Sequence, residues 1–123
     1  MASELRVNTL KDASGNNSIA TSVVASGSAK GWAAANTTAG VTDSFNISTG
    51  TDHGTGDYTL AITNALSSVN YSAPIVCYGN TTGAIPINHF ARTTASVIGC
   101  KIVSHSNSAL DQSWDVTISG DLA

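Results

Sequence analysis

The sequence predicts an all-β fold: an antiparallel β-sandwich of about six to eight short strands behind an extended N-terminal stem. Three observations carry this. Apolar residues in the second half recur at every other position, as in Tyr58, Leu60 and Ile62 or Trp114, Val116 and Ile118. A period of two lines one face of a pleated strand. Clusters of Gly, Asn, Asp and Ser separate these runs and supply the positive φ values that tight turns need. No segment sustains the spacing of an amphipathic helix.

Taken in chain order, residues 1–40 are rich in Ala, Ser, Asn, Thr and Gly. Their large apolar residues are Leu5, Val7 and Leu10, then Ile19, Val23, Val24 and Trp32. Such a stretch can hardly build a core of its own. It is either a flexible tail or an attachment segment that packs against sister copies. In the second case Leu5, Val7, Leu10 and Trp32 are the candidate oligomer or attachment contacts.

The sandwich domain is expected over 41–123. Val41, Asp43, Phe45 and Ile47 share a parity, which predicts a strand near 43–49. The glycines and aspartates of Thr49 to Asp57 predict a turn, and the 58–62 strand follows. Residues 64–69 suit one turn of helix. Tyr71, Ala73, Ile75 and Cys77 form one face of a further strand, with Val76 and Tyr78 on the other. Pro74 argues for an edge position or a bulge there. After the turn Gly79–Gly83, strands are expected near 85–91 and 96–103. A polar loop, Ser104 to Gln112, leads to the last strand at 114–118.

Charged residues make up only 11% of the chain, against roughly 25% in ordinary soluble domains. The surface is therefore built of Ser, Thr, Asn and Gly, which suits extended extracellular or virion proteins. A net charge of −3 offers no clustered basic footprint for nucleic acid. There is no basic amphipathic stretch for a membrane surface, and no apolar run approaches the roughly 20 residues of a membrane span. The start, Met1 to Val7, lacks the apolar block of a secretory signal, so synthesis in a cytoplasm without general secretion is expected.

Chemistry-bearing motifs are sparse, and the expectation is a non-enzymatic chain without cofactor or metal. Gly54-Thr55-Gly56-Asp57 has no following Lys and reads as a turn rather than a phosphate-binding loop. No nucleophile elbow occurs. His53, His89 and His105 share no metal-ligand spacing. Asp52, Asp57 and Asp111 lie in loops, but nothing pairs them for glycoside hydrolysis. Cys77 and Cys100 read as small buried apolar side chains, with an inter-strand disulfide as the alternative. N-x-[ST] triplets at Asn16, Asn36, Asn46, Asn70 and Asn80 are expected to be unmodified.

Several segments taken in order resemble a recurring bacteriophage tail-fibre module. They are Ala29-Lys30-Gly31-Trp32, then Asp43-Ser44-Phe45-Asn46-Ile47-Ser48, then Asp52-His53-Gly54-Thr55-Gly56-Asp57-Tyr58-Thr59-Leu60, followed by Asn70-Tyr71. The close, Arg92 to Val97 and then Trp114 to Leu122, looks similar too, as does the opening Leu5-Arg6-Val7-Asn8-Thr9-Leu10 before Ser14-Gly15. Related modules form trimers, and some resemble trimeric lectins of the H type. The resemblance implies a homotrimeric virion subunit, docked on other virion proteins through its N-terminal segment and contacting a host-surface glycan. A capsid decoration or head-fibre protein with a purely structural role is the alternative.

Strand alternation adds a geometric expectation. If successive strands run antiparallel, the loops near 50–57, 79–84 and 104–112 share the end far from the stem. His53, Tyr78, Asn80, Thr81, Thr82, His105 and Asn107 then stand as candidate ligand-binding residues at a distal tip, where short polar and aromatic side chains suit a sugar.

Overall fold

The structure is a computed structural model that describes residues 6–78, 83–88 and 93–123. Leu5, Asn80, Thr81, Thr82 and His89, and the 89–91 part of the expected 85–91 strand, lie outside the described residues. The fold is mostly β, with antiparallel sheets.

The chain opens with a small hairpin, β1 (Thr9–Lys11) and β2 (Ser18–Ala20). Asp12 organises its turn, accepting hydrogen bonds from Ser14 Oγ, Asn16 N–H and Asn17 Nδ2. These donors hold the Asp12 carboxyl below its usual range. A seven-residue helix follows, α1 (Thr21–Gly27). The sequence reading did not anticipate it: seven residues are too few for a helical period to register, and none of them is buried. The helical turn expected at 64–69 is instead a set of bends, anchored by the Leu66–Leu122 bridge.

Among the described residues, eight strands then form two four-stranded sheets. The first contains β3 (Gly31–Ala35), β4 (Val41–Phe45), β7 (Ile75–Tyr78) and β10 (Ser113–Ile118), in the order β4-β3-β10-β7. The second contains β5 (Ile47–Asp52), β6 (Asp57–Ile62), β8 (Ile85–Asn88) and β9 (Val97–Val103), in the order β5-β6-β9-β8. Their inward faces share one core of Tyr58, Leu60, Ile62, Ile98, Cys100, Ile102, Trp114, Val116 and Ile118. The arrangement is sandwich-like, and the alternations that predicted β6, β9 and β10 fall on their inward faces.

Two boundaries differ from expectation. The sheets begin before residue 41. β3 lies between β4 and β10, and Ala33, Ala35 and Ala39 are core residues, so this part of the 1–40 segment is not stem. Small side chains concealed it, because alanines give a weak apolar signal. Trp32 accordingly sits on a sheet strand, on the outward face beside Phe45.

The single strand expected near 43–49 is two strands in different sheets. Asn46, at φ 60, turns the chain from β4 to β5. Its side chain fixes the corner: Nδ2 donates to Lys30 O at 2.8 Å, and Oδ1 accepts from Asn64 N–H at 2.7 Å. The shared parity of Val41 and Phe45 also fails, because a register shift at Ala34/Ala35 faces Val41 to the core and leaves Phe45 exposed. Pro74 lies just before the edge strand β7, and Pro86 lies within the edge strand β8, as proline requires.

Across the core, Tyr58 and Trp114 stack with centroids 6.0 Å apart and an interplanar angle of 24°. Cys100 is the register partner of Tyr58, and Cys77 of Trp114. Both thiols are free. Burial raises both, Cys100 to about 12. Burial also raises Tyr71 to about 12, and burial together with the Asp111 carboxylate raises Tyr58 further.

All four groups therefore favour their neutral forms in the fold. Their stabilisation is complete below the ordinary thiol value of 9.0 and is lost as the unfolded chain ionises first. The melting temperature is expected to fall progressively between pH 9 and pH 12. Thermal melts followed by circular dichroism check this, and a flat profile to pH 12 would contradict it.

Candidate functional site

Strand directions sort the loops into two ends. The N-terminal segment, Asn46, the 63–74 connection and the C-terminus meet at one end, the base. There Lys30 N–H donates to Ile118 O, Leu66 N–H to Ala95 O and Ala123 N–H to Ala65 O. The 53–56 turn, the 36–40 turn, Gly83 and Ala84, and the 104–112 loop meet at the other end, the tip.

The tip is built around Asp111. Its Oδ1 accepts Gly56 N–H at 2.8 Å and lies 2.8 Å from Tyr58 Oη. Tyr58 Oη is also 3.0 Å from Thr37 O, so its single proton is shared between the 36–40 turn and Asp111. The backbone joins in: Ile102 N–H donates to Gly56 O, and Leu110 N–H to Ile102 O. One carboxylate thus holds three loops on the rigid strands below.

The 53–56 turn closes through Asp57 N–H to Gly54 O and His53 N–H to Asp57 O, with Gly54 at φ 126 and Gly56 at φ 66. Asp52 Oδ1 accepts Gly54 N–H. The 104–108 loop closes on itself through Ser104 N–H to Ser108 O and Asn107 N–H to Ser104 O, with Asn107 at φ 61. The 36–40 turn is held by Asn36 Oδ1, which accepts from Thr38 N–H and Gly40 N–H.

The described candidate tip residues, His53, Tyr78, His105 and Asn107, share an end but not one pocket. His53 Nε2 is 3.0 Å from Thr59 Oγ1, on the outward side of the second sheet. Tyr78 lies on the outward side of the first sheet, opposite Ser113, and its carbonyl accepts from Gln112 Nε2. His105 and Asn107 are exposed on the third loop, with Gly83 close to His105. So the opposed faces of the two sheets separate His53 from Tyr78. Sequence reasoning missed Asp111, Gln112 and Asn36. The roles of Asp111 and Gln112 depend on closure across the sandwich, over sequence distances of 55 and 34 residues, whereas Asn36 acts locally on Thr38 and Gly40.

The described candidate attachment residues are outward. Val7, Leu10 and Trp32 are exposed, and Leu10 stands opposite Ile19 in the hairpin. Residues 6–20 and 22–29 are all exposed.

Among the described residues no three His, Cys, Asp or Glu side chains are gathered to hold a metal ion. Among them too, no helix is long and apolar enough to cross a membrane, which says nothing of spanning by strands. No family model, no curated protein and no solved structure matches this chain.

Proposed function

We propose that this chain is a non-enzymatic structural subunit of a bacteriophage virion, from a tail fibre or similar surface appendage. It assembles as a homo-oligomer, most simply a trimer, and docks on other virion proteins through its N-terminal segment. Its tip loops face a host-surface glycan.

The observation that carries this reading is the N-terminal unit. It spends 24 residues on a hairpin and a helix yet leaves Leu10, Ile19, Val23 and Val24 exposed. Such a unit fully buries none of these side chains in an isolated chain and is completed by neighbours. The order of segments from Ala29-Lys30-Gly31-Trp32 through Trp114-Asp115-Val116 adds the likeness to tail-fibre modules. The tip is opposite the entry of the N-terminal segment, as attachment at one end and recognition at the other require.

A glycan array probed with the full chain tests the recognition half. Binding is expected, and the His105→Ala and Asn107→Gly variants are expected to lose at least about tenfold in affinity with unchanged melting. Equal binding by the variants, or none by the parent, would remove the glycan role. The purely structural reading, as capsid decoration or head fibre, would then stand. It has an observation in its favour: Asp52, Asp111 and Ser104 spend acceptors within their own tip. Cryo-microscopy of the particle decides between tail and capsid.

A further inference from the structure

Two thiols stand on the inward faces of opposite sheets, beside one ring stack. Tyr58 and Trp114 face each other across the core with centroids 6.0 Å apart. Cys100 on β9 is the register partner of Tyr58, and Cys77 on β7 is that of Trp114. Each thiol is therefore one strand away from the stack, Cys100 toward β8 and Cys77 on the edge strand β7. β7 and β8 approach each other between the sheets, with Cα atoms within 8 Å. Both steps thus lead to the same margin of the sandwich. Cys100 is a core residue at 0% exposure, and Cys77 packs against that core.

Spacing and accessibility fit a bond between them. Sheets packed face to face lie about 10 Å apart, and a disulfide needs Cα atoms within about 7 Å. At the β7–β8 margin the sheets close below the ordinary spacing, and β7 is held by a neighbour on one side only. The remaining approach falls on that edge strand. The two thiols also sense each other: beyond the effect of burial, a charge on Cys77 raises the Cys100 thiol. Their accessibility differs. Cys77 is partly exposed, whereas Cys100 is buried. Cys77 can therefore meet a reagent from solvent, and Cys100 can react only from within.

We infer that Cys77 and Cys100 form an inter-sheet disulfide latch when the chain meets a low-molecular-weight disulfide such as oxidised glutathione. The Cys77 thiol gives its proton to solvent, and its Sγ attacks one sulfur of the small disulfide. A mixed disulfide forms on Cys77, the small S–S bond breaks and one thiolate leaves with its electron pair. Cys100 Sγ then loses its proton and attacks Cys77 Sγ, which forms the inter-sheet bond and releases the second small thiolate. Two protein thiols are oxidised, one small disulfide is reduced to two thiols, and the two protons end on the leaving groups. Burial keeps both thiolates scarce, so the exchange is slow. A reducing cytoplasm leaves the latch open and an oxidising exterior closes it. The latch does not depend on the assembly reading above.

The full chain is incubated with oxidised glutathione at mildly alkaline pH, alkylated in denaturant, and read by intact mass and peptide mapping. The parent is expected to lose two hydrogens, to resist alkylation and to yield one peptide pair joined through Cys77 and Cys100 of the same chain. Cys100→Ala is expected to stop at one bound glutathione on Cys77, and Cys77→Ala to stay unmodified while folded. The latched chain is expected to melt about 10 °C higher than the reduced one, since the bond restrains the unfolded segment from 77 to 100. A parent that keeps two free thiols, retains glutathione on Cys77 or links between chains would overturn the latch. So would glutathione addition to Cys77→Ala at the parent's rate, because Cys100 would then be reached by opening of the core.

Discussion

Trp114→Ala is expected to remove about 3–5 kcal/mol of stability, the range for emptying a fully buried large aromatic site. Trp114 is 0% exposed, stacks on Tyr58 and lies in the central strand β10 between β3 and β7. Strands on both sides hold the backbone, so little collapse into the cavity is available. Against a typical total of about 5–15 kcal/mol, the loss is at least about a fifth of the stability. Trp114→Phe is the informative control. It keeps a ring against Tyr58 and removes the indole N–H, which has no hydrogen-bond partner among the described residues. Its cost is expected to be less than half that of alanine. Urea titrations followed by circular dichroism measure both. An alanine loss below about 1 kcal/mol would mean that the two sheets do not depend on this contact.

Gly56→Ala is expected to cost about 3 kcal/mol or more, from two additive causes. At φ 66 an L side chain costs about 1–2 kcal/mol. The new Cβ would also stand 2.3 Å from Ile102 O and 2.9 Å from both Leu110 N and Leu110 O. All three are backbone atoms, so the 104–112 loop or the end of β9 must move. The Gly56 N–H to Asp111 bond sits at the same point and is expected to loosen with it. Gly54→Ala separates the causes, since Gly54 is at φ 126 but a Cβ there meets nothing within 4 Å. Calorimetry is expected to show a drop of about 10 °C or more for Gly56→Ala and a clearly smaller one for Gly54→Ala. Equal drops would assign the whole effect to backbone strain.

The inward alternation of β6, β9 and β10 was legible, because large side chains on a half-buried strand leave a period of two. So were the turns at 53–56 and 104–112, whose Gly and Asn residues adopt the positive φ values their types permit. What failed has physical causes. β3 hides in alanines, which bury well but signal weakly. The strand change at Asn46 occupies one residue, and the register shift at the other end of β4, between Val41 and Asp43, inverts which side chains face in. α1 is too short to show a period. At the tip, residue types were legible and their grouping was not: alternation places loops at an end but not on a side, and so missed the separation of Tyr78 from His53. Asp111 looked like one loop carboxylate among several, because its partners come from other loops.

The antiparallel pairing of β3 with β10 puts Gly31 beside Ile118 at the base. The sandwich therefore answers mechanical load differently in two directions. A pull between base and tip runs along all eight strands, so each ladder is sheared and its hydrogen bonds must rupture together. A pull between the two ends of the chain opens β3 from β10 like a zipper, one bond at a time. A subunit anchored at its base and gripped at its tip is loaded in the strong direction.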